Sequence, residues 1–231
     1  MSTETRGRTI QECRHCGAGA PSDAHFCPQC EKILSLARHG NYFTFFGLPR
    51  KLGIDLADLE QRFRLLSRQF HPDYYYNATP AERVASLERS SYLNDAYRTL
   101  RQPAARMEYL LQVEGMALER DARPAAVPPE LLEEVFELNE QLEQIREAAE
   151  SGVPAAQLRA RLEAARRAIE RKRAAHEREL EALAAEWDRL VEAGAPAAER
   201  RATLEKLRTQ LVERNYITNL LATAERAVPQ A

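Results

Sequence analysis

The residue that most restricts how this chain folds is Pro72, in the run Arg68-Gln69-Phe70-His71-Pro72-Asp73. A proline has no backbone N–H and drives the residue before it out of helical geometry, so a helix entering this run ends near Phe70. An amphipathic segment does enter it. Leu56, Leu59, Phe63, Leu66 and Phe70 share one face at helical spacing, with Gln61, Arg64 and Arg68 opposite and Arg62 at the flank. Asp55 is placed to cap that helix, and Asp58 falls near its third position. Asp73 can bond back to nearby backbone and fix the turn. A second helix begins at Thr79-Pro80-Ala81-Glu82, which supplies a capping hydroxyl, a proline at the first helical position and a carboxylate at the third. His71 and Asp73 therefore stand at the tip of a helical hairpin.

The helix after that tip is expected to run to about residue 101. Its apolar residues Val84, Leu87, Leu93, Ala96, Tyr97 and Leu100 do not form one stripe, which predicts packing on two neighbours. Pro103 opens a short fourth helix with Met107, Leu110 and Leu111 inward, and Gly115 terminates it. Residues 41 to 48 are aromatic-rich and end in Gly47 and Pro49. They read as a short first helix whose rings close over the core.

All four cysteines lie in Cys13-x-x-Cys16 and Cys27-x-x-Cys30. Each pair can wrap two thiolates around one ion, and two such knuckles complete a tetrahedron. Gly17, Gly19 and Pro21 make the connection between them flexible. Tight pairs of this kind read as a metal site in a reducing compartment, not as disulfide staples. Zinc is the first expectation, rubredoxin-like iron the second and an iron–sulfur cluster the third. His15 and His25 are alternative ligands that four thiolates make unnecessary. So small a segment does not fold without its ion, and it reads as a stabilising cap. A nucleic-acid role would want basic and aromatic residues around the knuckles, and only Arg14, Phe26 and Lys32 qualify.

A net charge of −2 over 231 residues provides no basic field for nucleic acid. No apolar run approaches the ~20 residues that span a bilayer, and the first ten residues lack the apolar core of a signal peptide. The cytoplasm is the default expectation. The charged fraction of 29% with only 9 glycines suits a helix-rich chain. Three long helical patterns fill the C-terminal part, over about 129–150, 154–193 and from 197 onward. Leu131, Val135, Leu138, Leu142, Ile145 and Ala149 form a seam in the first. Leu158, Leu162, Ile169, Leu180, Leu183, Trp187 and Leu190 follow in the second, whose polar middle over 170–178 predicts a shift of that seam. Leu204, Leu207, Leu211, Ile217, Leu220 and Leu221 serve the last. Short connections make the helices antiparallel neighbours, so a three-helix bundle is expected, with a dimeric coiled coil as the alternative. The chain is thus a monomer or a homodimer. Phe136 lies off the first seam and Leu132 at its border, ringed by Glu133, Glu137 and Glu140. Such a pair reads as a partner surface, with a wide core stripe as the equal alternative.

Several runs together resemble a J domain, and within J proteins the HscB (HSC-twenty) family of iron–sulfur co-chaperones. They are Tyr42-Phe43-Thr44-Phe45-Phe46-Gly47-Leu48-Pro49, Asp55 with Leu59, Phe63-Arg64-Leu65-Leu66-Ser67 and His71-Pro72-Asp73. Ser90-Ser91-Tyr92-Leu93-Asn94-Asp95-Ala96-Tyr97, Leu100, Pro103, Arg106 with Tyr109-Leu110-Leu111, and Gly115 continue the match. The resemblance implies an all-α fold: a J-domain hairpin over residues 41–115, a linker over 116–129 and a C-terminal three-helix bundle over 130–231. The four-cysteine knuckle occupies residues 1–40.

It also implies that His71, Pro72, Asp73, Arg64 and Arg68 dock on an HscA/DnaK-type heat-shock ATPase chaperone and speed its ATP hydrolysis. Leu132, Phe136, Glu137, Glu140 and Tyr216 fall on positions that bind the IscU-like iron–sulfur scaffold protein. Tyr74-Tyr75-Tyr76 departs from relatives with a basic residue after the aspartate. Glu133, Asn139 and Gln144 depart at the scaffold-binding surface. No nucleophile–base set or phosphate-binding glycine loop accompanies these motifs, so the action expected is binding, not catalysis on this chain. A general J protein with another client, or a metal-knuckle regulator that binds nucleic acid, are the alternatives.

Overall fold

The computed structural model describes residues 10–36, 40–118, 136, 140, 143–144, 147–148, 151–152 and 154–226. It is mostly helical and divides into two compact units, Met1–Arg106 and Met107–Ala231. No helix among the described residues is long and apolar enough to cross a membrane.

In the first unit, β1 (Ile10–Glu12) and β2 (Gly19–Pro21) pair antiparallel, Ile10 opposite Pro21 and Glu12 opposite Gly19. Cys13 and Cys16 lie in the turn of this ribbon, and Cys27 and Cys30 in the turn closed by the Phe26–Ile33 bridge. α1 (Tyr42–Phe45) is capped by Asn41, whose side chain accepts from the Thr44 N–H while Thr44 Oγ1 accepts from the Asn41 N–H. Gly47 ends the segment in the left-handed region at φ +65°. α2 (Leu56–Phe70) starts where Asp55 Oδ1 accepts from the N–H groups of Ala57 and Asp58, at 2.8 and 3.3 Å. It stops one residue before His71, as Pro72 requires. α3 (Pro80–Arg101) opens on a complete capping box: Thr79 Oγ1 accepts from the Glu82 N–H, and Glu82 Oε2 accepts from the Thr79 N–H. α4 (Pro103–Val113) begins at its proline in this unit and continues into the second, where Met107, Leu110 and Leu111 are buried and Gly115 follows at φ +75°.

The core of the first unit lies between α1, α2 and α3. Phe43, Phe45, Phe46, Leu59, Leu66, Phe70, Leu93, Ala96 and Leu100 are buried, and Phe63 stacks on Tyr97 at 4.2 Å between centroids. Two expectations change. Leu56 is exposed at the edge of the first turn of α2 and not inside. On α3, Val84 and Leu87 face out, and the buried positions are Glu82, Ala85, Ser86, Arg89, Leu93, Ala96 and Leu100. That is one continuous stripe at three- and four-residue spacing. It escapes a search for apolar periodicity because its N-terminal half is polar or small. In that half Arg89 donates to carbonyls of the knuckle, Glu82 pairs with Lys32 and Ser86 donates to the Phe70 carbonyl of α2.

In the second unit, α5 (Ala155–Glu192) and α6 (Ala197–Arg226) form an antiparallel hairpin. The chain reverses at Gly194, φ +61°. Ile169, Leu180, Leu183 and Trp187 pack inward from α5, with Leu204, Leu207, Leu211 and Ile217 from α6. The polar middle of α5 does not shift the seam. His176 occupies the inward position itself, its Nε2 donating to the Gln210 carbonyl at 2.7 Å, with Glu213 3.7 Å from Nδ1. Glu213 is raised above its ordinary value by burial. The expected seam residues Leu131, Val135, Leu138, Leu142, Ile145 and Ala149, residues 119–129 of the linker expected over 116–129, and the side chains of Leu158, Leu162, Leu220 and Leu221 lie outside the described residues.

Candidate functional site

The His-Pro-Asp tip is a single 3₁₀ turn, Pro72–Tyr75, directly after α2. His71 Nδ1 accepts from the Asp73 N–H at 3.3 Å. The Asp73 carboxylate lies 3.5 Å from Nδ1, and its side chain is 86% exposed against 52% for His71. Both groups are presented to solvent. What holds them there is underneath. The carbonyl of Phe70, the last residue of α2, accepts from Ser86 Oγ at 2.7 Å and Ser90 Oγ at 2.8 Å, both on α3. Tyr75 Oη donates to the Gln69 carbonyl at 3.0 Å. Of the three tyrosines, Tyr75 is thus turned inward, while Tyr74 and Tyr76 are 75% and 79% exposed.

One turn back, Arg64 and Arg68 are exposed on the outer face of α2, and Arg64 pairs with Glu60. Together with Ala57, Gln61 and Leu65 they line an open depression of about 420 Å³. Arg62 is spent otherwise: its Nε donates to Asp58 Oδ2 and its Nη1 to the Phe46 carbonyl, each at 2.9 Å, tying α2 to the end of α1.

The four cysteine sulfurs lie within 4.8 Å of one another. Cys13 and Cys30 are 3.7 Å apart, as are Cys16 and Cys27. An ion about 2.3 Å from each of four tetrahedral sulfurs holds them about 3.8 Å apart, so this donor set fits a tetrathiolate metal. The two knuckles repeat one backbone design. The N–H of Gly17 donates to the Cys13 carbonyl at 2.8 Å and that of Glu31 to the Cys27 carbonyl at 2.9 Å. Both follow the second cysteine of their pair in the left-handed region, at φ +71° and +58°. Backbone N–H groups of Cys30 and Gln29 pull Cys27 down to about 7. Cys30, although a backbone bond involving Lys32 lowers it, is pushed up to about 12 by burial and the neighbouring thiols. Thiols so crowded ionise together only around a cation. His15 is exposed and His25 faces away from the sulfurs, so neither substitutes as a ligand.

His25 belongs to a contact that periodicity did not reveal. Its ring meets Phe45 at 4.8 Å and Phe70 at 5.1 Å, both edge-on, and its Nδ1 meets Arg89 Nη1 at 2.8 Å. Burial, and then the Arg89 charge, lower His25 to about 4, so Nδ1 is free to accept. Arg89 is 2% exposed. Its Nε donates to the Leu34 carbonyl at 2.6 Å and its Nη2 to the carbonyls of Ala24 and Ser35 at 3.2 and 3.1 Å. Its guanidinium also lies 5.9 and 5.6 Å from the ring centres of Phe45 and Phe70. Lys32 Nζ reaches Glu82 Oε1 at 3.0 Å, and Phe26 lies 6.0 Å from Phe70. Of the three residues that a nucleic-acid surface would use, Phe26 and Lys32 are thus engaged with the helices, and Arg14 is exposed. The sequence offers no periodic signal for this contact, because the acceptors of Arg89 are mostly backbone carbonyls; Ser86 and Ser90 on the same helix bond the Phe70 carbonyl of α2 instead.

On the second unit, Phe136 is helical and 70% exposed, with Glu140 and Gln144 exposed on the same helical face at four-residue steps. Tyr216 is half-buried on α6. Leu132 and Glu137 lie outside the described residues, as do Glu133 and Asn139.

No family model matches the chain. It is 36% identical over 110 residues to a Vibrio cholerae protein named co-chaperone protein HscB homolog, over 48% of this chain and 64% of the relative. A second Vibrio cholerae strain has a relative with the same values. The match thus spans a little under two thirds of the length of these curated relatives. Among solved structures, the crystal structure of human co-chaperone protein HscB aligns with a TM-score of 0.67 and 25% identity, over 95% of this chain and 100% of that one. Chaperone HscB from Vibrio cholerae aligns at 0.55 and 26%, over 81% and 96%.

Proposed function

We propose that the chain is a member of the HscB family, a co-chaperone for iron–sulfur cluster assembly that joins an ATP-driven chaperone to its client; its likeness to HscB sequences and structures supports this. His71, Pro72 and Asp73, with Arg64 and Arg68, engage an HscA/DnaK-type chaperone and stimulate its ATPase. Leu132, Phe136, Glu137, Glu140 and Tyr216 engage an IscU-like scaffold protein. Holding both raises the local concentration of client at the chaperone. His71 and Asp73 act by binding and biasing the partner's conformation, a coupling between sites and not acid–base chemistry.

The observation that carries this reading is the His-Pro-Asp turn, solvent-presented yet clamped from beneath through the Phe70 carbonyl, with the Arg64 and Arg68 face adjoining it. Such a turn is rigid without being buried, which suits recognition by a larger partner. The knuckle's four cysteines hold a metal, zinc first and iron second, and the closed set of four thiolates makes it structural, with no position left for a substrate. The ion supplies the folding energy of that segment.

Single-turnover ATPase of the chaperone tests the turn. His71→Gln removes the stimulation while leaving the fold intact; stimulation equal to the unaltered protein overturns the assignment. Pull-down with scaffold protein tests the other end, where Phe136→Ala and Tyr216→Ala weaken capture, and unchanged capture removes that face from the proposal.

A further inference from the structure

We propose that Arg89 is a positioning residue through which the metal-loaded knuckle braces the end of α2, and with it the His-Pro-Asp turn. The knuckle is not an appendage. Its carbonyls at Ala24, Leu34 and Ser35 and its His25 ring take all the hydrogen bonds of the buried Arg89 guanidinium that the structure records. The same guanidinium faces Phe70, and Phe70 also carries His25 and Phe26 against its ring. Phe70 is the residue immediately before His71, and its carbonyl is the one that Ser86 and Ser90 clamp. Ser86 and Ser90 flank Arg89 on the inward side of α3. One side of Phe70 is thus fixed by α3 and the other by the knuckle, with Arg89 joining the two.

A knuckle that loses its ion loses its fold, because a tetrathiolate segment of this size has no apolar core adequate to hold it. The carbonyls then leave Arg89, and the Phe70 ring loses the Phe26 and His25 cover. The turn that follows keeps only the two serine bonds and the Tyr75–Gln69 bond. Metal loading is by this route linked to the order of the turn, at a distance from the sulfurs and without any change in the turn's own residues. The proposal rests on the reading of that turn as the working end, and its test contains no chaperone, so either can fail without the other.

The test is hydrogen exchange of the full chain, reconstituted with zinc and then stripped with a chelator, read on peptides spanning residues 66–76. Zinc removal speeds their exchange by about tenfold or more. Arg89→Met with zinc still bound exchanges there as fast as the stripped protein, and the chelator adds little. Arg89→Lys, which keeps the charge but replaces the fork by a point donor, shows a reduced zinc effect and serves where the methionine variant does not fold. Exchange over 66–76 that ignores zinc overturns the proposal. So does a zinc effect that survives undiminished in Arg89→Lys, or one equally large in peptides over 176–211, which signals global unfolding instead of a local brace.

Discussion

Arg89 Nε lies 2.6 Å from the carbonyl oxygen of Leu34, joining residues 55 positions apart in the chain. The bond is one of several from a single buried cation, and its acceptors are backbone atoms that have few alternatives. Removing the guanidinium strands three carbonyls in the contact. Arg89→Met is expected to lower the stability of the first unit by about 3–5 kcal/mol, measured by urea unfolding followed through the near-ultraviolet dichroism of its tyrosines.

Ser86 and Ser90 share one acceptor, the Phe70 carbonyl. Either hydroxyl alone leaves it satisfied, so Ser86→Ala or Ser90→Ala costs roughly 0.5–1.5 kcal/mol. The double variant costs more than the sum, because only then is the carbonyl at a buried helix end left bare. A double-mutant cycle in urea measures that excess, and strict additivity would contradict the shared-acceptor geometry.

Glu31 and Gly17 hold equivalent places in the two knuckles, both at positive φ. Only glycine is unstrained there. Glu31→Gly is expected to raise the stability of the zinc-loaded protein by roughly 0.5–1 kcal/mol net of the added chain entropy. Gly17→Ala is expected to lower it by about 1 kcal/mol. Thermal unfolding midpoints at saturating zinc give both signs.

Glu82 closes the capping box with one oxygen and binds Lys32 with the other. Burial by itself raises its pKa, but the Lys32 ammonium and the Thr79 donors outweigh this and hold it at about 2, below the ordinary 4.5. A carboxylate depressed by folding contributes stability above its unfolded value and loses it as pH falls toward the folded one. The difference in melting midpoint between the native chain and Glu82→Gln is therefore full above pH 4.5 and closes between 4.5 and about 2. A pH-independent difference would show that the charge plays no part.

His176 takes a seam position on α5 and donates to Gln210. Its volume matters more than its polarity there, because the Gln210 carbonyl is already part of a helix. His176→Leu is expected to stay within about 1.5 kcal/mol of the native chain, and His176→Ala to cost about 2–4 kcal/mol. Fluorescence of Trp187, the only tryptophan, follows both.

The ends of the helices were legible in the sequence because they are set by neighbours in the chain. Asp55 caps α2, Thr79 and Glu82 box the start of α3, Pro103 opens α4 and Gly194 reverses the last hairpin. The clustering of four cysteines was legible for the same reason, as was the place of the His-Pro-Asp turn. Exposure at Val84 and Leu87, and the unbroken seam through His176, were not. In both cases a polar side chain sits inside because its partner comes from a distant stretch, and apolar periodicity does not register it.

Caps, prolines and short repeats act within a few residues, and from them the helical hairpin and the knuckle pairs follow without any tertiary contact. Tertiary structure alone decided that the knuckle lies on α3 and against Phe70. That contact is made by backbone carbonyls and one buried arginine. Carbonyls occur at every residue and have no letter in the sequence, so nothing short of the folded chain reveals which of them Arg89 will meet.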